Sequence, residues 1–160
     1  MEEQKKLYTI ALDFDGTIVT HKYPEIGEEI PDAVRVVKQL IRDGHRIILW
    51  SVREGTLLDE ALQWCEERGL TFYAVNQDFP EEQTEDRYFS RKIKADIFID
   101  DRAIGGLPSW SEIYRAISSG DPHKPLHYTP HISDEQRAMM TRYQSKDGGY
   151  RRGSGLFKRR

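Results

Sequence analysis

Two aspartates stand at the end of an apolar run near the start of the chain. The stretch "YTIALDFDGTIVT" covers residues 8–20 and contains Asp13 and Asp15, followed directly by Gly16 and Thr17. Residues i and i+2 of a strand project from the same side, so the two carboxylates are expected to lie close together. Like charges at short range oppose each other's ionisation unless a cation lies between them. The stretch therefore predicts a metal site.

Polar residues also end two later apolar runs. Ser51 closes "RIILWS", and Asp100 and Asp101 close "IFIDD", which Lys92 and Lys94 precede. Each of these residues alone has an ordinary explanation as a turn former or a solvated charge. Together with Asp13 and Asp15, these strand ends would deliver four carboxylates and a hydroxyl to one edge of a parallel sheet. Such sheets bind ligands at that edge.

The apolar runs alternate with segments of helical periodicity. We predict strands at residues 7–15, 46–51, 71–76 and 97–101, and helices at about 31–44, 56–69 and 109–120. Capping boxes are predicted at Thr56 and Ser109, where the second and third helices begin. Because the strands are apolar along their whole length, helices are expected on both faces. The predicted fold class is α/β, a three-layer, Rossmann-like, doubly wound parallel sheet.

This set of residues suits phosphoryl transfer through a carboxylate nucleophile. One aspartate attacks phosphorus and forms an aspartyl phosphate, which divides one difficult displacement into two easier steps. A second acid protonates the leaving oxygen and later takes a proton from the attacking water. Mg²⁺ is the expected cofactor, because it accepts a few carboxylate oxygens together with water and phosphate oxygens. A lysine and a small hydroxyl would hold the phosphoryl oxygens.

The order of these motifs resembles the haloacid dehalogenase-like hydrolase superfamily. "DFDGT" is similar to its first motif, Ser51 to its second, Lys92 to its third and "IFIDD" to its fourth. The resemblance covers about residues 7–118. It implies a small phosphatase-type member with the fold predicted above and without a separate cap domain.

The resemblance also implies a role for each matched residue. Asp13 would be the nucleophile and a metal ligand, and Asp15 the general acid/base, its backbone carbonyl also facing the metal. Ser51 and Lys92 would bind the phosphoryl group, with Lys94 as the competing lysine. Asp100 and Asp101 would complete the magnesium site, and the spacing leaves open which of them is the closer ligand.

Asp15 also bears on the reaction class within this superfamily. A dehalogenase needs no acid there, because a halide leaves without a proton, so the second aspartate favours a phosphatase that cleaves phosphomonoesters. The alternative is a non-catalytic module that keeps the acidic magnesium pocket but binds phosphate or a partner without turnover.

The two places where this superfamily usually carries a cap hold only short segments here. They are "HKYPEIGEEI" and "QDFPEEQTEDRYFSR", neither long enough to fold as a domain. We therefore expect an open site for a small phosphorylated metabolite or a larger phosphorylated partner. Residues 20–24 and the loop containing Arg53 are the candidate flaps. Arg53 is predicted either to bind a substrate phosphate or carboxylate, or to be a solvated surface residue.

Charge is distributed unevenly along the 160 residues. The net charge is −3, yet residues 146–160 contain six basic residues and one acidic residue. We predict a catalytic core at 1–120, an extension at 121–145 and a flexible basic tail at 146–160. The tail could bind nucleic acid electrostatically, but the acidic remainder of the chain disfavours that function. The sequence makes no prediction of oligomeric state.

Cys65 is the only cysteine, which excludes a disulfide within the chain. It lies on the apolar side of the second predicted helix, so we interpret it as a core residue rather than a nucleophile. The sequence shows no secretory signal and no apolar run long enough to cross a membrane. A cytoplasmic protein without membrane partners is therefore predicted.

Overall fold

A computed structural model describes residues 6–124, which form a four-stranded parallel sheet and three helices. The four strands are β1 (Thr9–Leu12), β2 (Arg46–Leu49), β3 (Ala74–Val75) and β4 (Ile97–Ile99). The three helices are α1 (Ala33–Arg42), α2 (Gly55–Glu67) and α3 (Trp110–Ser118). The sheet order is β3-β2-β1-β4, and every pairing is parallel. The predicted α/β class and the predicted order of elements are confirmed.

The central strand β1 is buried on both sides, as its unbroken apolar sequence predicted. Ile10 and Leu12 face the larger core, which also takes in residues of all three helices. Ala11 faces a smaller cluster formed with Ile48, Ala74 and Ile93. Leu12 lies level with Leu49 of β2 and with Ile99 of β4. This register brings the carboxyl ends of the three strands to the same level.

The helices are covered on one side only, as amphipathic helices should be. The core-facing residues of α1 include Val34, Val37 and Leu40. In α3, Ser109 accepts a hydrogen bond from the backbone N–H of Glu112, and the Glu112 side chain accepts one in return from the Ser109 backbone. The predicted capping box at Ser109 is therefore confirmed.

The predicted capping box at Thr56 is wrong. Helix α2 begins at Gly55, Glu54 occupies the N-cap position, and no side chain caps the helix there. Cys65 is fully buried in α2, and burial raises the pKa of its thiol to about 12. Its interpretation as a core residue is confirmed.

The two faces of the sheet differ in what covers them. The buried residues of α1, α2 and α3 all belong to the larger core, whereas the smaller cluster on the other face contains no helical residue among residues 6–124. Ile93 covers that face from the segment between β3 and β4, which has no helix. This segment contains Pro80 and is mostly polar or charged, so it lacks the apolar stripe that a packed helix needs. A second helical layer, expected from the strand patterns, is not seen in the described part.

Some predictions concern residues that the structure does not describe. The basic tail at 146–160 and all but the first four residues of the extension at 121–145 lie outside the described range. Within residues 6–124, no helix has both the length and the apolar composition needed to cross a bilayer.

Candidate functional site

The carboxyl ends of β1, β2 and β4 meet at one edge of the sheet. The backbone N–H of Asp13 donates to Ile99 O at 3.0 Å, and that of Trp50 donates to Leu12 O at 2.8 Å. These bonds extend the strand pairing past Leu12 and place Asp13, Ser51 and Asp100 beside one another. All three line a cavity of about 510 Å³ together with Asp15.

Three carboxylates form a tight group, which we call the acidic cluster: Asp13, Asp100 and Asp101. One oxygen of each lies within 4.8 Å of one oxygen of the others. Oδ1 of Asp101 is buried and has no hydrogen-bond partner among the described residues. A buried carboxylate oxygen without a donor is costly unless a cation faces it. The donor set is all oxygen, as Mg²⁺ prefers, so these residues fit the predicted metal.

The environment of Asp13 opposes its ionisation when no metal is bound. Burial raises the pKa of Asp13 to about 6, with smaller contributions from the nearby charges of Asp100 and Asp101. A hydrogen bond from Thr17 Oγ1 to Asp13 Oδ2 at 2.9 Å acts in the other direction. A bound divalent cation would remove the repulsion among the three carboxylates.

Thr17 connects the two halves of the acidic cluster. Its hydroxyl donates to Asp13 and accepts the backbone N–H of Asp101 at 3.1 Å. Its own carbonyl accepts the indole N–H of Trp110, at the start of α3, also at 3.1 Å. The threonine is fully buried, so it holds the loop after β1 against both the loop after β4 and the helix layer.

Gly16 permits the close approach of these two loops. Its φ is +88°, a conformation that residues with a Cβ rarely adopt. A Cβ at this position would overlap the Asp101 carboxylate, lying only 2.6 Å from its Cγ. The glycine of the "DFDGT" motif is therefore required both by the backbone conformation and by the acidic cluster.

Asp15 forms a buried ion pair with Arg53. Arg53 Nε donates to Asp15 Oδ2 at 2.7 Å, and Nη2 donates to Asp15 Oδ1 at 2.8 Å. Asp15 is 7% exposed and Arg53 is 1% exposed. The hydrogen bonds that Arg53 donates to Asp15, together with the negative charge of Asp15, raise the pKa of the Arg53 guanidinium further above its already high value. The guanidinium is thus a permanent cation beside Asp15.

The same guanidinium holds a hairpin-like segment, residues 18–30, which we call the flap. Its two arms pair through Thr20 N–H to Glu28 O at 2.7 Å and Ile30 N–H to Ile18 O at 2.8 Å. Between the arms, the carbonyls of Pro24 and Glu25 accept from Arg53 at 3.0 and 2.9 Å. Arg53 therefore joins the flap to the loop that carries Asp15.

This placement decides one of the two expectations for Arg53. It is not a solvated surface residue, because it is almost fully buried and its described hydrogen bonds go to Asp15 and to backbone carbonyls. Binding of a substrate phosphate or carboxylate by Arg53 stays a prediction. Sequence spacing placed Arg53 correctly near Ser51. It could not reveal that the carboxylate of Asp15, 38 positions earlier, would accept hydrogen bonds from the Arg53 guanidinium.

Ser51 lies at the cavity, as predicted from its position after β2. Its backbone N–H donates to Asn76 Oδ1 at 2.8 Å, and its Oγ accepts the backbone N–H of Arg53 at 3.2 Å. Because Oγ is the acceptor in this bond, the hydroxyl hydrogen can be donated to an anion in the cavity.

Neither candidate lysine is among the described residues that line the cavity. Lys94 forms an ion pair with Asp78, Nζ to Oδ2 at 3.0 Å, and its backbone N–H donates to Asp78 Oδ1 at 2.7 Å. Lys92 is exposed, with Nζ 5.8 Å from the centre of the Phe98 ring on the sheet face away from the helices. The preference for Lys92 over Lys94 stays a prediction.

Further cavity residues were not singled out by their sequence pattern. They are Trp50 and Val52, which flank Ser51, and Arg102, which follows Asp101. His21 and Tyr23 of the flap also line the cavity, as expected for a candidate flap. Their positions in the sequence could have identified them, since the neighbours of strand-end residues lie at the same edge of the sheet.

Comparison with known proteins identifies a relative but not an activity. No protein-family profile and no curated protein match the chain. A solved structure, that of a conserved protein from Bacteroides thetaiotaomicron, is 57% identical with a TM-score of 0.68. The match covers 75% of the present chain and 100% of the Bacteroides chain. The chain therefore belongs to the same family as this conserved Bacteroides protein.

Proposed function

We propose that this protein is a magnesium-dependent phosphohydrolase that cleaves a phosphomonoester through an aspartyl phosphate at Asp13. The observation that carries the proposal is the acidic cluster, in which Asp101 Oδ1 is buried beside Asp13 without a donor among residues 6–124. Mutual repulsion and a buried oxygen without a partner are unfavourable for a structural cluster, whereas both favour a bound cation.

The acidic cluster would hold the metal, with Asp13, Asp100 and Asp101 as ligands. When bound, Mg²⁺ would neutralise carboxylate charge and draw a phosphate oxygen toward Asp13. The backbone carbonyl of Asp15 stays a predicted further ligand. Asp100 and Asp101 both belong to the cluster, so both are proposed as ligands.

The two carboxylates of "DFDGT" have different proposed tasks. An Asp13 oxygen attacks phosphorus, the bond from phosphorus to the alcohol oxygen breaks, and a proton from Asp15 passes to that oxygen. Water then attacks the aspartyl phosphate and gives a proton to Asp15. The phosphorus–Asp13 bond breaks, inorganic phosphate leaves, and both aspartates return to their starting forms.

The ion pair limits how Asp15 can work. Each of its oxygens accepts a hydrogen bond from Arg53, so a proton on Asp15 would occupy the remaining lone pair of one oxygen, and neutralising Asp15 would weaken its ion pair with the guanidinium. Arg53 also donates to the carbonyls of Pro24 and Glu25, so the protonation of Asp15 is coupled to the residue that holds the flap. Arg53 is a positioning residue in this proposal rather than a catalytic one.

The phosphoryl oxygens require donors in the cavity. Ser51 supplies a hydroxyl, and Arg102 supplies a guanidinium whose Nη2 lies 3.4 Å from His21 Nε2. Either group would offset negative charge that develops on the phosphoryl oxygens. Lys92 stays the lysine predicted from the resemblance.

The finer assignments belong to the same proposal. Membership of the haloacid dehalogenase-like superfamily is supported by the placement of Asp13, Asp15, Ser51 and Asp100 around one cavity. A doubly wound sheet without a cap and a location in the cytoplasm stay predictions from the sequence. A short flap in place of a cap would leave the site open to a small metabolite or to a larger phosphorylated partner.

A non-catalytic module that binds a phosphorylated ligand through Mg²⁺ is the second candidate. Two observations favour it: neither lysine is among the described cavity residues, and both oxygens of Asp15 are engaged by Arg53. Such a module would bind Mg²⁺ and phosphate without turnover.

Turnover of simple phosphate esters separates the two functions. We expect the parent protein to release phosphate from acetyl phosphate and p-nitrophenyl phosphate with Mg²⁺ and not with EDTA. Asp13→Asn should lose this activity, whereas Asp59→Asn, which changes an exposed aspartate on α2, should retain it. Undiminished turnover by purified Asp13→Asn would refute Asp13 as nucleophile. Mg²⁺ binding by the parent without any turnover would favour the binding module.

A further inference from the structure

Three large apolar side chains line the cavity in addition to its acidic residues. The three apolar residues are Tyr23, Trp50 and Val52, and we call them the apolar rim. Tyr23 is 48% exposed and Val52 is 77% exposed, while Trp50 is half-buried. Single exposed apolar side chains are common, but three around one cavity are typical of a ligand-binding wall.

The rim is held in position by residues of the candidate site. The Tyr23 ring lies over the Arg53 guanidinium, with its centre 5.3 Å from Cζ. That guanidinium is fixed in turn by Asp15 and by the Pro24 carbonyl. Tyr23 is therefore restrained on one side while much of its surface stays accessible.

The other two rim residues stand on a restrained backbone. Trp50 continues the pairing of β2 with β1 through its N–H to Leu12 O, and its side chain packs against the smaller core cluster. Val52 lies between Ser51 and Arg53, which are linked by a hydrogen bond from the Arg53 N–H to Ser51 Oγ at 3.2 Å. A preorganised wall of this kind binds without a large cost in ordering its side chains.

The chemistry of the rim selects among alcohols that a phosphate could carry. A polyhydroxylated sugar against Val52 and two aromatic rings would lose hydrogen bonds to water and regain few. A flat aromatic group would instead bury apolar surface and contact the Tyr23 and Trp50 rings. The cavity volume of about 510 Å³ lies within the usual range for small-molecule sites.

We propose that the preferred substrates are phosphomonoesters whose alcohol carries a planar aromatic group, which contacts the apolar rim while the phosphate lies at the acidic cluster. This inference rests on the proposed phosphohydrolase function and names its substrate class. The planar group has two chemical sources, the base of a nucleoside 5′-monophosphate or an aryl group on a simple alkyl phosphate.

Matched pairs of substrates test the preference while the leaving group stays a primary alcohol. One pair is 2-phenylethyl phosphate and butyl phosphate, and the other is adenosine 5′-monophosphate and ribose 5-phosphate. All four release a primary alcohol, so differences in kcat/KM report binding of the remainder of the molecule. We expect the aromatic member to be favoured about tenfold or more in at least one pair, which corresponds to about 1.4 kcal/mol from ring contacts and buried apolar surface together. The pair with the larger ratio identifies the source of the planar group.

Variants of the rim connect the preference to these residues. Tyr23→Ser and Val52→Ser should each reduce the kcat/KM ratio of the aromatic to the non-aromatic substrate. The Val52 variant leaves the contact between Tyr23 and Arg53 in place. Tyr88→Ser is the matched control, because Tyr88 is exposed and is not among the cavity residues. It should keep the parent ratio.

Failure of this inference is distinguishable from failure of the proposed function. If acetyl phosphate is hydrolysed but both pairs give ratios near one, the phosphohydrolase function stands and the preference for planar groups is refuted. A preference that persists in both rim variants would also refute the role of the rim. If no substrate is hydrolysed, acetyl phosphate included, the proposed function fails and the inference fails with it.

Discussion

Arg53 and Asp15 form a bidentate ion pair inside the protein, with donor–acceptor distances of 2.7 and 2.8 Å. The guanidinium also donates to the carbonyls of Pro24 and Glu25. One side chain therefore joins three segments: the loop after β1, the loop after β2 and the flap. The position of Asp15 in the cavity depends on an arginine that does not line it among the described residues.

Removing Arg53 alone should be strongly destabilising. Arg53→Met leaves the Asp15 carboxylate buried without its cation, and breaking a buried pair in this way costs about 3–5 kcal/mol of unfolding free energy. The double variant Asp15→Asn/Arg53→Met removes both charges and should recover part of that loss. Urea unfolding of the parent, the two single variants and the double variant measures the coupling between the residues.

The pair formed by Arg35 and Asp32 provides the matched control. Its Nε–Oδ1 distance is 2.9 Å, but the two side chains are 66% and 52% exposed. Arg35→Met should cost less than about 1 kcal/mol, as is usual for exposed pairs. Equal losses for Arg53→Met and Arg35→Met would contradict a structural role of the buried pair.

Thr17 should matter through its hydroxyl group. Thr17→Val keeps the side-chain shape but removes the donor to Asp13 and the acceptor for the Asp101 N–H. We expect Mg²⁺ affinity to fall about tenfold or more at pH 7, because both hydrogen bonds that position the cluster are lost. Thr17→Ser keeps the hydroxyl and should bind Mg²⁺ nearly as the parent does. Calorimetric titration with Mg²⁺ measures both, and equal affinities for the Val and Ser variants would exclude this role.

Gly16→Ala tests the close approach of the two loops. The new Cβ would overlap the Asp101 carboxylate in addition to straining a backbone with φ +88°. We expect a loss of about 2–3 kcal/mol in unfolding free energy and weaker Mg²⁺ binding.

Gly105→Ala separates strain from overlap. Gly105 has φ +96°, yet a Cβ there would meet no atom within 4 Å, so this variant should lose only about 1 kcal/mol and keep its Mg²⁺ affinity. Identical behaviour of the two variants would show that contact with Asp101 is unimportant.

The pKa of Asp13 predicts how stability without metal depends on pH. Burial raises it to about 6, so between about pH 4 and pH 6 the folded protein binds more protons at this residue than the unfolded chain does. Its contribution to stability therefore decreases as pH rises through that window, and above pH 6 the ionised group destabilises the folded state.

Asp13→Asn removes this pH-dependent cost. In EDTA the variant should be more stable than the parent by about 1–2 kcal/mol at pH 8, after allowance for solvent screening, and nearly equal to it at pH 4. With Mg²⁺ the order should reverse at pH 8, because only the parent keeps all three ligands. Urea unfolding at both pH values checks this, with Asp59→Asn as an exposed control. A parent more stable than the variant in EDTA at pH 8 would contradict the interpretation.

Much of the site was predictable because its residues sit next to strand ends. Apolar runs identified β1, β2 and β4, and parallel pairing then required Asp13, Ser51 and Asp100 to share one edge of the sheet. The "DFDGT" turn is also a local feature, since Gly16 adopts a positive φ directly after Asp15. Adjacency along the chain and strand register were sufficient for these residues.

The tertiary structure decided what sequence spacing could not. Arg53 pairs with Asp15, Lys94 pairs with Asp78, and the described helices pack on one face of the sheet. Each outcome depends on which side chains meet after the chain has folded, and a long flexible cation can reach several partners from one position. The sequence by itself determined the order of the elements and the acids at the strand ends, because these follow from local periodicity and neighbouring residues. Only packing between distant segments determined which charges are paired and which carboxylate oxygen is left without a donor.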